Sequence, residues 1–260
     1  MLTSRQNPLV KEIVKLQEQK ERQRTGLMLL EGTNLLTEAV AMGWTLETVC
    51  YTEAWAERHQ DLLKGALVHR LECVTPSVIE ALSTTVTPDG AVATAFRKLP
   101  DWQTQLTQGT LCVIAETLQD PGNLGTLLRT ATATGAGVIL SADSVDPAHP
   151  KVLRATAGQW FRRPPAVATD LFAVIDFCQQ QGILTYATTG QAGHCFWDLD
   201  YRGPVAFVLG NEGRGLSPDL VSHIEKHVSI PMEAGVESLN VGISAAILLY
   251  EAYRQRMGKP

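Results

Sequence analysis

Apolar residues recur at helical spacing near the start of the chain. Leu9, Ile13 and Leu16, with Val10 and Val14, form a stripe behind Asn7-Pro8. An asparagine cap with proline at the first helical position sets where that helix begins. A second helix is expected over residues 34–42, ended by Gly43, and a third from Thr75-Pro76 to Leu82. Strands are expected at 48–51, 66–70 and, after the Pro88-Asp89-Gly90 turn, 91–96. Residues 1–98 thus read as one α/β unit. The polar stretch 99–109 shows little periodicity and reads as a linker.

From residue 110 to 260 the pattern changes. Short apolar runs at 111–115, 137–140, 183–187, 205–209 and 228–230 alternate with helical patterns at 123–134, 171–180 and 239–257. That alternation predicts a mostly parallel sheet covered by helices on both faces, so the fold class is α/β. The last helix carries Val241, Ile243, Ala245, Ile247 and Leu248 and is apolar nearly all round. It must be covered by more than one layer, and core packing or a subunit interface would each do so.

Composition narrows the class. A 45% hydrophobic, 19% charged chain is globular, and no run of about 18 apolar residues could cross a membrane. The first residues lack the apolar core of a secretory signal. Five cysteines without a CxxC pair predict neither a disulfide framework nor a metal site, which fits a cytoplasmic protein.

The net charge of −5 argues against a nonspecific nucleic-acid coat. Two local patches run the other way. Residues 1–26 hold six basic groups, Arg5 and Lys11 among them, against three acidic ones, and residues 151–163 hold Lys151, Arg154, Arg162 and Arg163 with no acid. These are candidate RNA phosphate contacts; solvated faces fit the same composition.

Three segments carry candidate chemistry. Asp120-Pro-Gly-Asn123-Leu-Gly125-Thr-Leu-Leu-Arg129 opens a helix after a buried strand; helix starts present free N–H groups and attract anions. Gly125 and Arg129 are four apart, one turn along the helix. Leu209-Gly-Asn-Glu-Gly-Arg-Gly215 follows another strand, and its glycines permit close backbone approach to a ligand. In open parallel sheets, ligands bind beyond the carboxyl ends of strands. Ile230-Pro-Met232, leading to Ser238-Leu239-Asn240, supplies apolar walls and a capped helix start. An ordinary capped turn, a flexible loop and a plain helix cap fit the three segments taken singly. The glycine loop is neither a dinucleotide fingerprint nor a P-loop. Gly242-Ile-Ser244 lacks the final glycine of a hydrolase elbow.

In order and spacing, the three segments resemble the motifs of the SpoU (TrmH-like) branch of the SPOUT RNA methyltransferases. The resemblance covers residues 110–257. The family's motif-one residues match Asn123, Gly125 and Arg129; motif two matches Gly210, Asn211, Glu212 and Gly213; motif three matches Pro231, Ser238, Leu239 and Asn240. Gly242 departs from the serine found in many members. The opening Ser4-Arg5-Gln-Asn7-Pro8, with Glu31-Gly32 and Thr87-Pro88-Asp-Gly90, resembles the family's accessory substrate-binding domain.

The resemblance implies a C-terminal SPOUT domain closed by a deep trefoil knot, a homodimer formed through that domain, and no membrane partner. It implies S-adenosylmethionine as cofactor, bound by Thr188, Thr189, Leu209, Gly210, Asn211, Gly213, Ile230, Met232 and Leu239. It implies a catalytic group of Asn123, Arg129, Glu212, Ser238 and Asn240. The expected reaction is methyl transfer to a ribose 2′-hydroxyl of structured RNA, ribosomal RNA first. A tRNA methyltransferase of the same family, a catalytically silent RNA-binding protein and a small-molecule enzyme with a phosphate loop remain as alternatives.

Overall fold

Asn7 caps the first helix as expected: its side chain accepts from the Leu9 N–H at 2.9 Å, and Pro8–Lys15 follows, burying Val10 and Ile13. The computed structural model describes residues 1–190 and 192–258, so residues 191, 259 and 260 of the expected C-terminal domain lie outside the described ones. Two compact units emerge. One comprises Met1–Lys98 with Asp146–Arg162, and the other Leu99–Val145 with the chain from Arg163 onward.

The first unit is built on β1 (Leu27–Glu31), β2 (Leu46–Tyr51), β3 (Val68–Cys73) and β4 (Ala91–Phe96) in the order β1-β4-β2-β3. Strand β4 runs antiparallel to both neighbours, and β2 and β3 are parallel. Val10, Ile13, Leu29, Val78 and Leu82 are among the buried residues that pack one face. Residues 19–31 carry a helix, Gln19–Thr25, and strand β1, neither of which the pattern announces.

Residues 146–162, expected in the C-terminal domain, belong instead to the first unit. The physical reason is what they bury there. The helix Pro150–Ala155 buries Val152 and Leu153, and Trp160 and Phe161 pack their rings on Trp44. Asp146 receives the fully buried Arg22 guanidinium at 2.8 Å.

The second unit holds β5 (Leu111–Ala115), β6 (Gly137–Ser141), β7 (Ala166–Ala168), β8 (Leu184–Thr188), β9 (Val205–Leu209) and β10 (Lys226–Val228). All pairs are parallel, in the order β10-β8-β9-β5-β6-β7. Strands β5 and β9 are buried at every position, as central strands covered on both faces must be. After β5 the chain builds outward through β6 and β7, then crosses to the other side for β8. The direction therefore reverses between β5 and β9, and a crevice opens beyond the carboxyl ends of β9 and its other neighbour, β8.

The expected linker is not featureless. Asp101 caps a helix at Trp102–Thr107 by accepting from the Thr104 N–H, and Leu106 is buried in the second unit's core. A six-residue helix is too short to show periodicity. The last helix spans Val241–Arg256 and packs against the helix Pro121–Thr134, β5 and β9. No described helix is long and apolar enough to cross a membrane.

Candidate active site

The crevice beyond β8 and β9 is a cavity of about 460 Å³, within the range that encloses small-molecule ligands. Thr188 and Thr189, at the end of β8, form one side. Leu209, Gly210, Asn211 and Gly213 form the loop side, and Ile230, Met232 and Leu239 close the third. All nine residues expected to bind cofactor therefore line one cavity.

The loop is rigid for identifiable reasons. Asn211 and Gly215 exchange both backbone hydrogen bonds, at 3.0 and 2.9 Å. The Asn211 side-chain oxygen accepts from the Gly213 and Arg214 N–H groups, and its amide donates to the Thr117 carbonyl at 2.8 Å. Thr117 adopts a left-handed φ of 52°, costly for a β-branched residue, which turns the chain sharply at the end of β5. Its neighbour Glu116 grips the far end of the loop, accepting from the Ser217 N–H at 2.7 Å and the Ser217 hydroxyl at 2.6 Å. A Cβ on Gly210 would collide with the backbone of Gly215 and Leu216, so this position has no room for any side chain.

Four of the five expected catalytic residues come together. Glu212 and Ser238 line the cavity. The Asn123 amide donates to Glu212 Oε1 at 3.1 Å, and the Asn240 amide donates to Asn123 Oδ1 at 2.8 Å. Asn240 also caps the last helix, accepting from the Gly242 and Ile243 N–H groups. Glu212 accepts further from the N–H groups of Gln119 and Asp120, and from Asn211. Burial pushes its carboxyl up, but the bonds from Asp120, Asn123 and Gln119 outweigh it and hold the group below the usual carboxylate range. A carboxylate so fully hydrogen-bonded makes a poor proton acceptor, and Asn123, bonded to both Glu212 and Asn240, is the group that joins the three motifs.

Arg129 stands apart from this cluster. It is exposed on its helix while Gly125 is buried, so the four-residue spacing straddles the edge of the packed face. Among the described residues it makes no hydrogen bond or ion pair.

The basic candidates divide. Lys11 and Lys151 are exposed, and Arg5 is exposed beside Glu80 at 3.2 Å. Arg154 is taken up by buried Glu31 at 2.9 Å and by Thr84, and Arg162 by Glu38 at 3.1 Å. Arg163, in the second unit, is half-buried and unpaired among the described residues. Sequence reasoning missed Glu237, Val241 and Ser244 as lining residues. Ser244 lies one helical turn beyond Asn240, a spacing that could have found it. It also missed Glu116, whose partner is 101 positions away.

Comparison with known proteins gives two family matches along the chain. Residues 110–250 match the SpoU rRNA Methylase family, and residues 7–93 match the MRM3-like substrate binding domain. An uncharacterized tRNA/rRNA methyltransferase of Synechocystis sp. is 41% identical, over 98% of this chain and 94% of its own. The Bacillus subtilis 23S rRNA (guanosine(2553)-2′-O)-methyltransferase RlmP is 30% identical, over 96% and 97%. The crystal structure of an AdoMet-bound rRNA methyltransferase from Sinorhizobium meliloti superposes with a TM-score of 0.83 at 32% identity, covering 97% of each chain.

Proposed function

Because this chain belongs to the SpoU rRNA methylase family, we propose that its cavity holds S-adenosylmethionine and that it methylates a ribose 2′-hydroxyl of ribosomal RNA. The observation that carries the reading is the convergence of all nine expected cofactor residues on one cavity. The cavity fits such a group on its own terms. Thr188 Oγ1 is buried there without a hydrogen-bond partner among the described residues, and a polar ligand would supply one. Gly210 lines the space, and Leu209, Ile230 and Leu239 offer apolar walls.

When bound, S-adenosylmethionine supplies an electrophilic methyl group on a sulfonium. The chain's own residues position the acceptor: Glu212 and Ser238 line the cavity, and Asn123 and Asn240 hold Glu212 in place through a chain of hydrogen bonds. Positioning of this kind accounts for much of the rate in a displacement that needs in-line geometry. Arg129 serves as a clamp on the neighbouring phosphate, while the hydroxyl's proton leaves to water.

The reading includes a homodimer formed through the last helix. Ile243, Tyr250 and Met257, seven residues apart, are 49%, 53% and 56% exposed, an apolar stripe of the kind two helices bury together. Arg129 is exposed on the helix against which the last helix packs. The deep trefoil knot belongs to the same proposal, supported by a last helix that returns to β5 and β9 after β10 at the sheet edge. The first unit serves as the RNA-binding domain, with the exposed Lys11 and Lys151 among its phosphate contacts, and the reaction takes place in the cytoplasm. Calorimetry with S-adenosylmethionine tests the core of the reading: saturable binding supports it, and no heat at millimolar cofactor sinks it.

A further inference from the structure

Three charged side chains line the cavity, Glu212, Arg214 and Glu237, and their sum is 1 − 2 = −1. S-adenosylmethionine carries a sulfonium, an ammonium and a carboxylate, a net positive charge. The two acids suit that ligand and Arg214 does not. The polyanionic substrate has the opposite need, because a phosphodiester approaching an acidic mouth on a chain of net charge −5 is repelled unless a cation receives it.

We propose that Arg214 receives an RNA phosphate beside the target ribose and so orients the substrate at the mouth of the cavity. This rests on the reading of the cavity as a cofactor site. Arg214 is the one cation lining the cavity among the described residues, it is exposed, and it has no hydrogen bond or ion pair from its side chain there. Its backbone is fixed. The Arg214 N–H donates to Asn211 Oδ1 at 3.1 Å, and the paired Asn211 and Gly215 backbones close the turn on either side, with Gly215 at φ +70°. The guanidinium is thus presented to solvent from a rigid tip, with its donors available for the two oxygens of one phosphate.

The same chemistry would suit the cofactor's carboxylate, and the test separates the two. Wild-type protein, Arg214→Ala and Arg214→Lys are compared as full chains. Calorimetry measures S-adenosylmethionine affinity, and filter retention measures binding to an unmethylated 23S rRNA transcript over a salt series. For Arg214→Ala the slope of log affinity against log salt should shrink by roughly 0.7–0.9, the share of one phosphate contact. RNA affinity should fall several-fold, with cofactor affinity within about twofold of wild type. Arg214→Lys should restore the slope but not the full affinity, since lysine is a point charge. An unchanged slope in Arg214→Ala overturns the inference, as does a tenfold loss of cofactor affinity with RNA binding intact. Absence of cofactor binding by the wild type overturns the reading of the cavity and this inference with it. Cofactor binding with an unchanged RNA slope overturns this inference alone.

Discussion

The Asn123 amide donates to Glu212 Oε1 across 3.1 Å, joining segments 89 residues apart at the carboxyl ends of the two central strands. Removing the carboxylate leaves the Gln119 and Asp120 N–H groups and the Asn123 amide without their acceptor. Glu212→Ala should cost about 1–3 kcal/mol of stability and weaken S-adenosylmethionine binding, because both loops that shape the cavity are released. Thermal melts with calorimetry check this; wild-type cofactor affinity in the variant would remove Glu212 from the account.

Titration of the same group sets a pH dependence. Its folded-state pKa is lowered, so its contribution is complete above the ordinary glutamate value of about 4.3 and is lost as pH falls through the lower folded value. Stability should therefore hold level from neutral pH down to that ordinary value and decline only below it. Glu212→Gln, which cannot titrate, should lack this acid limb in a calorimetric pH series.

Gly210→Ala should abolish cofactor binding. The added methyl meets the backbone of Gly215 and Leu216, which cannot swing aside as a side-chain tip would. The damage is confined to the loop, so the change should reach cofactor affinity far more than the unfolding midpoint of the first unit.

In the first unit, Arg22 is fully buried against Asp146, itself 3% exposed. Arg22→Ala strands a buried carboxylate, with only Arg97 at 3.7 Å and the Ala148 N–H among the described residues to answer it. A loss of about 3–5 kcal/mol is expected, read from urea denaturation.

Arg154 and Lys11 looked alike in sequence and should behave differently. Arg154→Ala removes the partner of buried Glu31 and should lower stability by about 1–3 kcal/mol, leaving the salt dependence of RNA binding unchanged. Lys11→Ala should do the reverse, leaving stability near wild type and reducing the salt slope by roughly 0.7–0.9.

These contrasts mark how far the sequence could be read. The apolar runs of β5 and β9, the Asn7 and Asn240 caps and the glycine loop are local signals, and each lies within a few residues of where the pattern placed it. What stayed hidden depends on distant partners. Asp146 belongs with the first unit because Arg22 lies 124 positions earlier. Glu116 matters because Ser217 closes on it, and Arg154 is unavailable because Glu31 and Thr84 hold it. A charge count registers a cation but not whether an acid already occupies it.

The central claim is the transfer of a methyl group from S-adenosylmethionine to a ribose 2′-hydroxyl. Methyl-labelled cofactor, incubated with the protein and RNA from a strain lacking it, followed by alkaline hydrolysis, tests this most directly. A 2′-O-methyl group blocks the attack of that oxygen on its own phosphodiester, so the label should remain in an alkali-resistant dinucleotide from ribosomal RNA. Label released in mononucleotides, which marks methylation of a base, or no transfer at all, would contradict the account.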